Sequence, residues 1–286
     1  MNLHSERTIR EIRKAYGFHF SKSLGQNFLT DPGIIDKIIE AVDPQPEDLV
    51  VEIGPGIGVL TAELAQQAGK VAAIEIDSSL IPILQDTLAA YDNVRIIHQD
   101  VLKTDLHQII AESGMDRSKV IGNLPYYITT PIIMNLLEKQ VPAQTIVVMM
   151  QKEVAERIQA APGSKAYGAL SVAVQYHCTA QLVAKVPRGS FVPAPKVDSA
   201  VLKLTRREAR PVELLDETFF FSCVKAGFGQ RRKTLNNSLL SAVSLSKEEL
   251  TAALGDLGID GNRRAETLTM EEFATVANGL LTACKR

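Results

Sequence analysis

The feature that most constrains this chain is an alternation of short aliphatic runs with helix-spaced segments over residues 49–150. Residues 49–53, 71–76, 94–98, 119–122 and 145–150 read as strands. Between them, 59–68, 79–90 and 131–138 carry apolar residues at helical spacing. Strands that are apolar throughout belong to a parallel sheet covered on both faces. A helix over 31–42 is opened by the pair Asp31-Pro32. After residue 150 the pattern changes. Residues 168–177 favour a helix, because Leu170, Ala173, Val174 and His177 share a face. Residues 181–186 and 196–204 read as two strands joined by a Pro-rich loop. Beyond Thr205 only helical patterns follow, at 213–227, 233–242, 247–257 and 270–281, with capping boxes at Ser246/Glu249 and Thr269/Glu272. The expectation is a Rossmann-like α/β domain over 1–205, its sheet mostly parallel with a terminal antiparallel hairpin, preceded by an arm over 1–30. A small all-α domain over 206–286 follows.

The first strand runs into Gly54-Pro55-Gly56-Ile57-Gly58, with Glu52 just before it. A loop there lies at the carboxyl end of a parallel strand, where open α/β sheets bind ligands. Glycines let the backbone turn sharply and approach a ligand closely. The spacing is G-x-G-x-G rather than the G-x-G-x-x-G of dinucleotide sites, and Pro55 sits inside it. It is similar to the first motif of S-adenosylmethionine-dependent methyltransferases. A tight strand-to-helix turn is the plain alternative. Glu75 ends the second strand, where an acid can accept both hydroxyls of a ribose; taken alone it could be a surface carboxylate, and the glycine loop before it favours binding. Asp100 follows the third strand; it either accepts from an adenine amino group or is a helix N-cap or loop acid.

Asn123-Leu124-Pro125-Tyr126 follows the fourth strand on the same edge. Asn and Pro are turn residues, so a simple turn is one reading. A catalytic reading rests on the chemistry of an exocyclic adenine amine, whose lone pair is delocalised into the ring. The Asn123 side-chain carbonyl and the Leu124 backbone carbonyl can accept its two hydrogens, more strongly as the nitrogen becomes tetrahedral. Pro125 fixes the turn, and Tyr126 offers a flat face to a flipped base. Phe191, in a loop stiffened by Pro193 and Pro195, either presents its ring to the other face of that base or is an ordinary buried Phe.

Charge narrows the partners. The net charge is −2 and the pI about 6.2, against a uniformly basic nucleic-acid binder. Two local clusters are basic: Arg7, Arg10, Arg13, Lys14 and Lys22 in the arm, and Lys225, Arg231, Arg232 and Lys233. Either can hold phosphates or be a solvated face. Cys178, Cys223 and Cys284 are far apart and odd in number, which predicts no disulfide framework and no metal site, as in a reducing cytoplasm. The charged first 14 residues predict no signal peptide, and no apolar run is long enough to span a membrane.

Six motifs in order then resemble one family: Lys22-Ser23-Leu24-Gly25-Gln26-Asn27-Phe28-Leu29, Glu52-x-Gly54-Pro55-Gly56, Asn123-Leu124-Pro125-Tyr126, Gln151-Lys152-Glu153-Val154, Phe191-x-Pro193-x-Pro195-x-Val197-Asp198-Ser199 and Phe228-x-Gln230-Arg231-Arg232-Lys233-Thr234. From about Phe20 onward the chain resembles the ribosomal RNA adenine dimethyltransferases, most of all those of the bacterial small subunit. The resemblance implies a class I methyltransferase domain and S-adenosylmethionine as cofactor. It also implies two adjacent adenosines of the 3′-terminal hairpin of 16S rRNA as substrate, methylated to N6,N6-dimethyladenosine within the 30S particle during small-subunit biogenesis. By motif matching it places the cofactor on Asn27, Leu29, Gly54, Glu75, Asp100 and Asn123, with residues 26–29 folded over it, and leaves Tyr127 without a role. Arg231, Arg232 and Lys233 are expected to meet RNA, and a monomer without metal or membrane partner is expected. The rivals are a 23S rRNA adenine methyltransferase of the macrolide-resistance type, a non-catalytic rRNA-binding assembly factor, a DNA adenine methyltransferase and, last, a dehydrogenase.

Overall fold

In the computed structural model, which describes residues 2–21 and 24–284, every aliphatic run read as a strand forms one. In chain order the elements are α1 (Glu6–Tyr16), β1 (Phe28–Leu29), α2 (Pro32–Val42), β2 (Asp48–Ile53), α3 (Val59–Ala65), β3 (Lys70–Glu75), α4 (Ile81–Thr87), β4 (Val94–His98), α5 (Leu106–Ser113), β5 (Arg117–Asn123) and α6 (Thr129–Glu138). They continue as β6 (Thr145–Gln151), α7 (Lys152–Ile158), α8 (Ala169–His177), β7 (Cys178–Val186), β8 (Phe191–Val192), β9 (Ser199–Arg206), α9 (Glu217–Gly229), α10 (Leu235–Ser238), α11 (Lys247–Asp256) and α12 (Met270–Ala283). Lys22 and Ser23, which belong to the basic arm and the first motif, lie outside the described residues.

Seven strands form one sheet in the order β4-β3-β2-β5-β6-β9-β7. β4, β3, β2, β5 and β6 run parallel, and β9 returns antiparallel to β6. All six residues of β2 are buried, as a strand covered on both faces must be. The order reverses at β2, with β3 on one side and β5 on the other, so a crevice opens above their carboxyl ends. The opposite edge is tied shut electrostatically: Asp48 on β2, fully buried, pairs with Arg117 at 2.9 Å and Lys119 at 2.8 Å on β5. α2 forms as its sequence predicts. The Asp31 carboxylate accepts the N–H groups of Gly33 and Ile34, Pro32 occupies the first turn, and Ile34, Ile35, Ile38, Ile39 and Val42 face the core.

The structure departs from expectation in several places. The arm contains α1, capped by Ser5 and ended by Gly17 at φ 62°. Only Ile9 and Ile12 of its eleven residues are buried, so charge masks its apolar stripe. α5 and α7 were not read as separate helices, and the predicted helix over 233–242 is only α10 followed by a 3-10 turn at Leu239–Ser241. The chain forms two compact units, residues 1–155 with 179–206 and residues 156–178 with 207–286. One crossing between the units falls at 206/207, next to the boundary expected near 205, and 156–178 fall with the helical unit. That unit has its own core, built on Tyr167, Phe220, Leu250, Leu254 and Phe273. Both capping boxes form there: Ser246 with Glu249, and Thr269 with Glu272, which Arg263 also holds at 2.5 Å. Among the described residues no helix is long and apolar enough to cross a membrane, and no cluster of three His, Cys, Asp or Glu side chains could hold a metal ion.

Candidate active site

Four adjacent parallel strands deliver their last residues to one edge. β2 runs into Gly54, β3 ends at Glu75, β4 stops two residues before Asp100, and β5 ends at Asn123. Together with Leu124, Pro125 and Tyr126 these residues line a cleft with about 860 Å³ of empty space, walled on the arm side by Gly25, Gln26, Asn27 and Phe28. Gly54, Gly56 and Gly58 have φ of 71°, 61° and 90°, left-handed values that side chains avoid. The Phe28 ring lies against the loop, since a Cβ on Gly56 would meet it at 3.1 Å.

Glu75 is buried, and its Oε1 accepts the Asp77 N–H at 2.8 Å. Burial pushes its pKa up, and backbone N–H groups of Asp77, Gly56 and Ile76 oppose that shift. The acid is thus tied to the glycine loop it stands beside. Asp100 caps no helix, since α5 is capped by Asp105; its Oδ1 closes a turn on the Leu102 N–H at 3.0 Å, and the residue lines the cleft.

Asn123 donates from Nδ2 to the backbone carbonyl of Asn27 at 2.9 Å. A carbonyl cannot donate, so this bond identifies the nitrogen and leaves Oδ1 as the acceptor. Asn27 also donates from its own Nδ2 to the Gly25 carbonyl at 2.9 Å. Leu124 is buried and its N–H donates to the Met149 carbonyl at 3.1 Å. The Pro125 carbonyl accepts from the Ile128 N–H and from Thr129 Oγ1, which starts α6. The Tyr126 hydroxyl and Ser199 Oγ share a hydrogen bond of 2.7 Å. Burial raises the Tyr126 pKa while that bond to Ser199 works against it.

Glu52 is the residue that sequence reasoning undervalued. It is 1% exposed, beneath the glycine loop, and its Oε2 accepts from Thr61 Oγ1 at 2.5 Å. Burial first, and the nearby Glu75 charge, push its pKa up to about 7 despite the Thr61 bond. Folding therefore takes up a proton between the usual carboxylate value and pH 7. The contribution of Glu52 favours the folded state below the unfolded value and is lost as pH rises through 7, a swing on the order of 3 kcal/mol. Glu52→Gln should abolish that swing, so the urea midpoints of the two proteins should diverge between pH 4.5 and 7.5, with wild type falling. Parallel curves would show that Glu52 does not bind this proton.

One residue expected at the site is placed elsewhere. Phe191 is 3% exposed in β8, paired with Leu29 of β1, and packs in the core rather than lining the cleft. Leu29 is likewise buried, but it lines a small recess beside the loop together with Glu52, Gly54, Pro55 and Asn123. The β1–β8 pairing turns both side chains inward, and two-residue strands leave no periodicity to read. Conversely Tyr127, 60% exposed, lines the cleft beside Gly25; no sequence signal separates it from any surface Tyr. Of the basic trio, Arg231 donates to the carbonyls of Lys165 at 2.7 Å and Tyr167 at 3.2 Å and lies 3.8 Å from Glu266, so it clamps its own unit. Arg232 and Lys233 are exposed in the turn after α9.

The model of the family described as ribosomal RNA adenine dimethylase matches residues 17–281. Ribosomal RNA small subunit methyltransferase A of Geobacillus thermodenitrificans is 56% identical over 277 residues, covering 95% of this chain and 94% of that protein. The protein of the same name from Alkaliphilus metalliredigens is 54% identical, covering 93% and 94%. Among solved structures, a dimethyladenosine transferase from Plasmodium falciparum superposes with a TM-score of 0.74 at 29% identity, over 87% of this chain and 95% of that one. The 23S rRNA methyltransferase ErmE gives 0.66 at 29% identity, over 89% and 99%.

Proposed function

The chain belongs to the ribosomal RNA adenine dimethylase family, and on that premise we propose that it transfers methyl groups from S-adenosylmethionine to N6 of two adjacent adenosines in the 3′-terminal hairpin of 16S rRNA within the 30S particle. The observation that carries the reading is the Asn123 amide, held by Asn27 so that Oδ1 is the group available to an amine, on the same cleft edge as Gly54 and Glu75. Identity of 56% to a small-subunit enzyme, against 29% to a large-subunit one, favours 16S over 23S rRNA.

The cleft suits the cofactor. A Cβ on Gly54 would meet only the Asn123 carbonyl, at 3.9 Å, so the glycine leaves open space beside the strand end. Glu75 offers a buried carboxylate to a ribose diol, and Asp100 an acceptor to an adenine amino group. When bound, S-adenosylmethionine supplies an electrophilic methyl group on a sulfonium. The protein's part is alignment and selective stabilisation. Asn123 Oδ1 and the Leu124 carbonyl accept the hydrogens of the target amine, and these bonds strengthen as its nitrogen becomes tetrahedral. The amine proton leaves after transfer, so no base with a tuned pKa is required. Tyr126, steadied by Ser199, offers its ring to the flipped base, worth about 1–3 kcal/mol.

The direct test is transfer of radiolabelled methyl to unmethylated 30S particles, followed by mapping of the label. Two adjacent adenosines of the 3′ hairpin are expected. Label confined to 23S rRNA would move the target to the large subunit, and no transfer to either would overturn the reading. For the RNA contact outside the cleft, Arg232→Glu with Lys233→Glu should weaken particle binding and flatten its salt dependence by roughly 0.7–0.9 per phosphate lost. An unchanged slope would place that surface elsewhere. Arg231 is left in place because it holds Lys165 and Tyr167.

A further inference from the structure

Two of the motifs behind the family resemblance, residues 151–154 and 191–199, supply nothing to this chemistry except Ser199. The fold brings them together. Gln151, the last residue of β6, pairs with Ser199, the first of β9. The Lys152 N–H donates to the Asp198 carbonyl at 3.1 Å, and the Arg188 N–H to Asp198 Oδ1 at 3.0 Å. Between these segments lies an open groove with about 850 Å³ of empty space, lined by Gln151, Lys152, Glu153, Arg188, Lys196 and Asp198, with Val197 at its side. Lys152, Arg188 and Lys196 are all exposed. Three cations, of which Lys152 is also engaged by another group, line it with two carboxylates, and one oxygen of Asp198 is already taken by backbone. Ser199, whose Oγ holds the Tyr126 hydroxyl, links the groove to the catalytic tetrapeptide.

We propose that this groove holds the sugar–phosphate backbone of the RNA strand flanking the target adenosine. The inference rests on the methyl-transfer reading above. A nucleotide turned into the cleft leaves its own and its neighbours' phosphates at the mouth, and the groove adjoins Tyr126 through Ser199, next to Asp198, so its cations are placed to meet them. Such contacts position the strand without reading its sequence.

The test compares wild type with the triple variant K152Q/R188Q/K196Q, whose glutamines keep polar length and remove charge. Its thermal melting should match wild type, and each single variant serves as a check should it not. Binding to unmethylated 30S particles is measured from 50 to 200 mM salt. Loss of three phosphate contacts at roughly 0.7–0.9 each should reduce the salt slope by about 2–3, so that the triple variant loses roughly 20- to 40-fold less affinity over that range. At low salt the KM for particles should rise at least about tenfold with kcat within about twofold. An unchanged slope and KM would overturn the proposal. So would weakened particle binding with unchanged binding to protein-free 16S rRNA, since the groove would then meet a ribosomal protein. If wild type binds RNA but transfers no methyl, the functional reading fails while the slope comparison still judges the groove.

Discussion

Asn123→Ala is expected to lower methyl transfer by roughly 10²–10³-fold, the cost of removing one preorganised stabilising partner, while RNA affinity changes by less than about twofold. Two things are lost together: the Oδ1 acceptor and the Nδ2 bond to the Asn27 carbonyl at 2.9 Å. Asn123→Asp separates them. Aspartate keeps an acceptor for the amine but sets an oxygen against the Asn27 carbonyl where a donor stood. Cofactor affinity should therefore fall in the Asp variant, because the arm wall formed by Asn27 is repelled. Single-turnover transfer and cofactor titration on both variants check the pair. Full activity in Asn123→Ala would remove the amide from the mechanism. Undiminished cofactor affinity in Asn123→Asp would show that the tie to the arm does not matter.

Gly122→Ala is expected to do as much damage with a single methyl group. A Cβ there would stand 2.6 Å from Leu124 Cδ2 and 3.0 Å from the Ile53 carbonyl oxygen. Neither neighbour can yield easily. Leu124 is 1% exposed in a packed interior, and Ile53 sits opposite Gly122 in the β2–β5 ladder, one residue before Gly54. Overpacking of this kind costs roughly 1–3 kcal/mol, read as a lower urea midpoint. The larger effect should be on transfer, about 10²-fold, because relief of the clash moves Leu124 and the glycine loop, and displacement by about 1 Å is enough for such a loss. Wild-type stability and activity in Gly122→Ala would show that the tetrapeptide has slack the geometry denies.

The parts of the site that were legible share one physical trait. Gly54, Glu75, Asp100 and Asn123 each follow an aliphatic run, and in a parallel sheet every such run ends on the same edge. Local pattern therefore carried tertiary information for them. Phe191 and Leu29 had no such carrier. Their positions depend on pairing across some 160 residues of chain, which buries both. α1 was hidden by its charges, and Arg231, exposed like the rest of its basic run, is set apart only by its bonds to the Lys165 and Tyr167 carbonyls. Glu52 was visible as a letter of the glycine motif. Its raised pKa follows from total burial beside Glu75, which depends on how α3 and the loop cover β2.

By itself the sequence determined the alternation of strands and helices, the shared edge on which Gly54, Glu75, Asp100 and Asn123 lie, and through its six motifs the family. These depend on hydrophobic periodicity and on residue order at strand ends, both local properties of the chain. Only the tertiary structure decided which way the Asn123 amide faces, that residues 156–178 fold with the helical unit, that Phe191 is core, and that residues 151–153, Arg188 and residues 196–198 line one groove. Each of these is a contact between residues distant in sequence, set by packing and by the partners that buried polar groups must find.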